Sequence, residues 1–314
     1  MKRMRLNYNK ALISILIILI FTLNGTIVNS DSFTEKLTEG IESNGGSTII
    51  LEEYTATWCQ VCAEIDPEVK ELASMHDERV ALIALHPADG VDDLGNYASS
   101  KRINYLFNNS PIIQSPTFLL DGDIVLEGAE QINMLNSKIM QTQSKKSEFT
   151  TIFFSAKRIN NSISFEMILD SESTGIANIM IIENKLISNN YVGDLEKFDN
   201  VLVDMISINL DNKSLISGTN EWFFIQNNSN NKTNILATYN IKGEINAENI
   251  GFLASHEIQN ENTTSVLGAV KIFQGDTSNQ DSSLFIPIFL IIFSLGVFAS
   301  LGQLNSKSIN DENE

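Results

Sequence analysis

The chain has 314 residues, 21 Lys+Arg against 39 Asp+Glu, and a formal net charge of −18. This balance argues against nucleic acid as a partner, since no basic cluster follows the first five residues, and the length leaves room for two domains of ordinary size. Only two cysteines occur, Cys59 and Cys62, which excludes a framework of several structural disulfides.

Taken in order, the chain begins with Lys2, Arg3 and Arg5, then an apolar core, Ala11–Leu23, broken by Asn24-Gly25. With small residues around Ser30, this is the pattern of an export signal, and residues 1–30 are expected to be a signal peptide. Ser32–Ser43 reads as a short amphipathic helix and Asn44-Gly45-Gly46 as a turn. Ile49-Ile50-Leu51 is a compact β-branched run, which predicts a buried strand. A helical pattern then runs to His76, with Val61, Ile65, Val69, Leu72 and Ala73 on one face.

The two cysteines stand where that strand gives way to the helix. Two residues between them allow a small disulfide ring, and the first thiol sits at a helix N-terminus, where unpaired N–H groups and the helix dipole favour thiolate. Zinc is the competing use of such a pair, but a structural site wants four Cys or His ligands and His76, His86 and His256 are isolated. A purely structural bridge is the other, and so short a loop stabilises least. Redox exchange is the expectation.

Val80–Leu85 is a second apolar run, a central strand by composition, ended by His86-Pro87, with His86 read as incidental. Asp89–Asn109 is an insertion with a helical piece around Tyr97–Phe107. Phe118-Leu119-Leu120 and Ile124-Val125-Leu126 flank Asp121-Gly122-Asp123, a strong hairpin signal. Glu130–Lys145 is an amphipathic helix with Ile132, Leu135 and Ile139 on one face. From Phe149 the period changes. Thr150–Phe154, Ser162–Leu169, Ile176–Ile182, Val201–Ile208, Trp222–Ile225, Asn234–Tyr239, Gly251–His256 and Ser265–Phe273 are short runs rich in Ile, Val, Phe and Thr, separated by Asn, Asp, Gly and Ser. They predict a β-sandwich. Finally, Leu284–Leu301 is uncharged and long enough for one membrane span, preceded by a polar linker and followed by a polar tail, residues 302–314. The expected plan is a signal peptide (1–30), an α/β domain (31–147), an all-β sandwich (148–273), a linker (274–283), a transmembrane helix (284–301) and a cytoplasmic tail.

The stretch Thr48–Pro67 resembles the active-site region of the thioredoxin superfamily. Trp58 precedes the first cysteine, Glu53 stands where the family keeps a buried acid, and Pro67 matches the proline that kinks the active-site helix. Ser115-Pro116-Thr117 with the hairpin after it is similar to the family's cis-proline segment. Gln60-Val61 departs from the family's usual Gly-Pro, and an insertion separates Cys62 from Pro116. The resemblance implies a thioredoxin-like central sheet flanked by helices over about residues 45–145. It also implies catalytic roles for Cys59, Cys62, Glu53 and Pro116, and substrate contacts from Trp58, Gln60, Val61, Ser115 and Thr117. Glu52 competes with Glu53 for the inward position, since neighbours on a strand face opposite ways. Two negative residues early in the helix, Glu64 and Asp66, disfavour thiolate and suggest a reducing or isomerising poise. The two-part layout, with Glu52-Glu53-Tyr54-Thr55 before the cysteines, also resembles exported bacterial outer-membrane-related proteins that join a thioredoxin-like domain to a β-rich one.

The expectation is therefore a membrane-anchored, extracytoplasmic thiol–disulfide oxidoreductase. It needs no cofactor beyond the Cys59–Cys62 pair, acts on protein thiols and disulfides, and depends on a separate electron donor or acceptor. The rival is a surface-anchored binding or scaffold protein in which the β-rich part recognises a partner and the cysteine-bearing part does no chemistry.

Overall fold

The computed structural model describes residues 32–273 apart from 171–172, 194–196, 242–246 and 261–262. The expected signal peptide, linker, transmembrane helix and tail lie outside the described residues. Among the described residues no helix is long and apolar enough to cross a membrane.

The described chain is a mixed α/β protein with four α-helices and two β-sheets, one antiparallel with five strands and one mixed with nine. The first helix, α1, covers Phe33–Glu39. It is capped by the Ser32 hydroxyl, which accepts from the Glu35 N–H at 3.2 Å. The helix expected to reach Ser43 stops early, because Ile41–Gly45 is strand β1, paired antiparallel with β6 (Ile152–Ile159). Ile41 is drawn into that sheet to pack against its core.

The central strand is β2 (Ile49–Tyr54), parallel to β3 (Val80–Leu85) and antiparallel to β4 (Thr117–Leu120), which turns at Asp121-Gly122 into β5 (Asp123–Glu127). Between β2 and β3 lies α2 (Gln60–His76). Within the expected insertion lies α3 (Tyr97–Leu106), and α4 (Leu135–Lys145) follows a single 3₁₀ turn over Ile132–Met134. On α2, Ile65, Val69 and Ala73 are buried as the helical period requires, whereas Val61 faces outward.

Each of the expected runs after Phe149 is a strand. They are β6, β7 (Ser162–Leu169), β8 (Ile176–Glu183), β9 (Val201–Asn209), β11 (Trp222–Ser229), β12 (Lys232–Asn240), β13 (Ile250–Gln259) and β14 (Thr264–Ile272), and a short strand, β10 (Ser214–Ser217), adds to them. The five-stranded sheet runs β1-β6-β7-β12-β11. The other runs β14-β13-β8-β9-β3-β2-β4-β5, with β10 beside β9.

The cysteine-bearing and β-rich parts are thus not separate sheets. β9 joins β3 through the parallel pair Ala84 and Val201, and Ala84 donates its N–H to Asn200 at 2.7 Å. At the other end of the same sheet, β14 bridges back to Gly46 and Ser47 beside β2 through Ala269. Residues 31–274 form one compact unit.

Three apolar layers hold it. Phe154, Phe165, Ile179, Ile206 and Phe252 fill the space between the two sheets. Ile50, Ile83 and Leu85 meet α3 together with Met180, Leu202 and Leu253 from the β-rich part. Leu51, Leu82 and Phe118 meet α2 and α4. Strand alternation decides which layer each residue joins: odd positions of β2 face α2, even positions face α3.

Candidate active site

The site is built at the C-terminal end of β2, where the chain turns into α2. Cys59 is the N-cap of α2, in extended conformation, and its Sγ accepts the Cys62 N–H at 3.2 Å. Cys59 and Cys62 form a disulfide, with Cα atoms 5.3 Å apart. Cys62 is fully covered while Cys59 retains 7% exposure, so any partner sulfur reaches Cys59 first.

Trp58, Gln60 and Val61 surround the disulfide as exposed side chains. The Trp58 indole N–H donates to Asp89 Oδ2 at 2.9 Å, which fixes the ring. On the opposite side the peptide bond between Ser115 and Pro116 is cis. The Ser115 hydroxyl lies 3.1 Å from Cys62 Sγ. Thr117 is fully buried, and its hydroxyl donates to the Gln114 carbonyl at 2.7 Å, so it shapes the turn and presents no open face.

Two carboxyls stand near the end of β2. Glu53 and Glu52 are both buried, on opposite faces of β2. Glu52 belongs to the α3 side, where it meets Arg102. Glu53 belongs to the α2 side. Burial raises the Glu53 pKa well above the usual range, and the Asp66 carboxyl beside it adds to the effect. Asp66 follows Cys62 by four residues, hence on the same face of α2 one turn on. Burial lifts its pKa to about 6. Two carboxyls in contact away from water cannot both ionise, so the pair holds one proton between them. Asp66 was expected to act as a charge on the helix N-terminus. Its position shows it instead to be part of the buried acid, and the i, i+4 spacing from Cys62 was the available signal.

Sequence reasoning missed two further features. His86 is fully buried, with Nδ1 2.8 Å from Asp92 Oδ2. The same Asp92 oxygen accepts the Thr57 N–H at 3.0 Å, tying the histidine to the turn before Cys59. The second feature is a strap, residues 186–193, from the connection between β8 and β9. Its base is the bridge between Leu186 and Phe198. Val192 donates its N–H to the Thr57 carbonyl at 3.1 Å. Asp93 accepts from the Ser188 hydroxyl at 2.6 Å and from the Asn189 N–H at 2.7 Å, and Asn190 donates to the Val91 carbonyl. A Cβ placed on Gly193 would stand 2.7 Å from the Ala63 Cβ, so only glycine lets the strap lie this close to α2. No local pattern marks this stretch, because its partners lie about a hundred residues earlier.

No known family profile matches the chain, and no curated protein sequence matches it. Among solved structures, the crystal structure of protein AGR_C_4864 from Agrobacterium tumefaciens is similar over 74% of this chain and 96% of its own, at 12% identity and a TM-score of 0.46. A family 9 carbohydrate-binding module from Caldicellulosiruptor kristjanssonii, in complex with cellotriose, covers 41% of this chain and 68% of its own, at 13% identity and a TM-score of 0.27.

Proposed function

We propose that the protein is a thiol–disulfide oxidoreductase with a thioredoxin-like catalytic part, exported and anchored by the apolar segment 284–301, that exchanges disulfides with other exported proteins. The observation that carries this reading is the cluster at the end of β2. A disulfide caps a helix, its inner sulfur lies beside the Ser115 hydroxyl, and Glu53 and Asp66, a carboxyl pair whose pKa values burial raises, stand on the same side of β2 as that helix.

In the reductive direction, Cys59 as thiolate attacks one sulfur of a client disulfide, and the other client sulfur leaves as thiolate and takes a proton. The helix N-terminus favours the Cys59 anion, since its dipole amounts to about half a positive charge. Cys62 gives its proton to the Glu53–Asp66 pair and attacks Cys59 Sγ. The mixed disulfide breaks, the Cys59–Cys62 bond forms, and the client leaves with two electrons and its second thiol. An external dithiol must return two electrons to the protein. Pro116 leaves neighbouring backbone free to pair with the client chain, as the resemblance implies, and Trp58, Gln60, Val61 and Ser115 border the exposed sulfur.

Insulin reduction compared between the wild-type chain and Cys59→Ser tests the proposal. The wild type is expected to precipitate insulin far faster. Equal background rates would favour the rival reading, a binding or scaffold protein. Cys62→Ala is expected to accumulate mixed disulfides with clients, which identifies them.

A further inference from the structure

Near the cysteine turn, Thr55 Oγ1, Thr57 Oγ1 and His86 Nε2 are buried without a hydrogen-bond partner, and the Glu53 and Asp66 carboxyls bond to each other. Native proteins satisfy nearly all such atoms, so His86 Nε2 is a buried nitrogen with bonding capacity left for a proton. The sheet register explains why these groups converge. In the parallel pairing Glu53 stands opposite Ala84, and Thr55 donates to the Leu85 carbonyl at 3.1 Å. Val80 and Leu82 of β3 face α2, and alternation carries His86 to the same side. The titratable groups that meet there are Glu53 from β2, Cys62 and Asp66 from α2, His86 after β3, and Asp92 from the following loop.

Asp92 fixes the imidazole. Its carboxylate already accepts the Thr57 and Leu94 N–H groups, at 3.0 and 2.9 Å, and as an acceptor it favours the tautomer in which His86 Nδ1–H donates to it and Nε2 keeps its lone pair. Phe198 packs edge-on against the ring at 5.5 Å, and Tyr191 of the strap lies 4.6 Å behind Phe198. That aromatic wall keeps bulk water off the histidine. His86 lies close enough to Asp66 that a charge on the ring would lower the Asp66 pKa, which couples the two groups.

We propose that His86, oriented by Asp92, is the second acceptor for the proton that Cys62 releases, receiving it by way of the Glu53–Asp66 pair. This rests on reading Cys59 and Cys62 as an exchanging dithiol. When Cys62 closes the ring, its S–H proton passes to a carboxyl pair that already holds one proton. The surplus proton moves to Nε2, giving an imidazolium whose charge Asp92 balances, and stays there until reduction of the disulfide returns it to Cys62. The electron pair of Cys62 forms the bond to Cys59, and the departing sulfur carries away the pair of the broken bond. Reduction runs the same path inward. His86 touches neither substrate nor sulfur; it acts through the carboxyls.

Mixing the reduced full chain with excess oxidised glutathione, and following ring closure by tryptophan fluorescence from pH 5 to 9, tests the path. His86→Gln is expected to slow ring closure by about a hundredfold, the low end of proton-transfer contributions, and to flatten its pH dependence. Asp92→Asn is expected to slow it less, and carries the test if His86→Gln does not fold. An unchanged pH profile in a folded His86→Gln protein, whatever its rate, overturns the proposal. Glutathione replaces the client here, so a failed insulin assay and a failed relay remain separate results.

Discussion

Arg102 donates from Nη1 to Glu257 Oε2 at 2.7 Å across 155 residues of sequence, and from Nε and Nη2 to Glu52 at 2.6 and 3.1 Å. All three side chains are sealed from solvent. They come from α3, β13 and β2, so this cluster pins the cysteine-bearing part to the β-rich part from the side opposite the disulfide. Ser255 donates to Glu257 at 2.6 Å and Asn178 to Ser255 at 3.1 Å, extending the network along the sheet. Burial raises the Glu52 pKa, against the pull of Arg102, and the two carboxylates raise that of Arg102.

Removing the cation alone is expected to be severe. Arg102→Met leaves two carboxyls buried without compensation and should lower stability by about 3–5 kcal/mol. Neutralising the acids as well, with Glu52→Gln and Glu257→Gln, should recover part of the loss, because no charge then stays buried. Urea unfolding of the two variants checks this, and equal midpoints would refute it.

The carboxyl pair predicts a direction with pH. Glu53 and Asp66 titrate above their ordinary values in the fold. The native state therefore keeps protons that the unfolded chain has released, and stability falls as pH rises. For Asp66 the window runs from 3.8 to about 6, a loss on the order of 3 kcal/mol at about 1.4 kcal/mol per pH unit. Glu53 extends the fall to higher pH. Glu53→Gln combined with Asp66→Asn should flatten the slope relative to wild type in denaturant titrations from pH 4 to 7. A parallel slope in both proteins would remove the shared proton.

The strap depends on Asp93, which holds both Ser188 and Asn189. Asp93→Ala should cost about 1 kcal/mol, since the bonds are exposed, yet speed hydrogen exchange at the Val192 amide by about tenfold or more. Exchange mass spectrometry over residues 186–193 measures this. No change there would mean that the strap is held by Tyr191 and Phe198 alone.

Gly122 lies in the left-handed region at φ +91°, and a Cβ placed on it would stand 2.5 Å from the Thr264 carbonyl oxygen. Gly122→Ala therefore meets both strain and a backbone clash with β14, and should destabilise by more than about 1 kcal/mol. Substituting Ala at Gly90, which has φ +82° but open space around it, should cost only the strain. Thermal unfolding of the two variants separates the terms.

The sequence by itself placed the disulfide at a strand-to-helix turn, the Asp-Gly hairpin and the strands after Phe149, because each depends on periodicity or turn chemistry within a few residues. It also required Glu52 and Glu53 to point opposite ways, since side chains alternate along a strand. It left open which of them underlies the cysteines. Only the tertiary structure decided that, by laying α2 on one face and α3 with Arg102 on the other. It also decided that both parts share one sheet through β3 and β9, and that the strap and His86 with Asp92 reach the cysteine turn. Pairings across long stretches of chain are fixed by which buried surfaces close against each other, and no local pattern of residues states that choice.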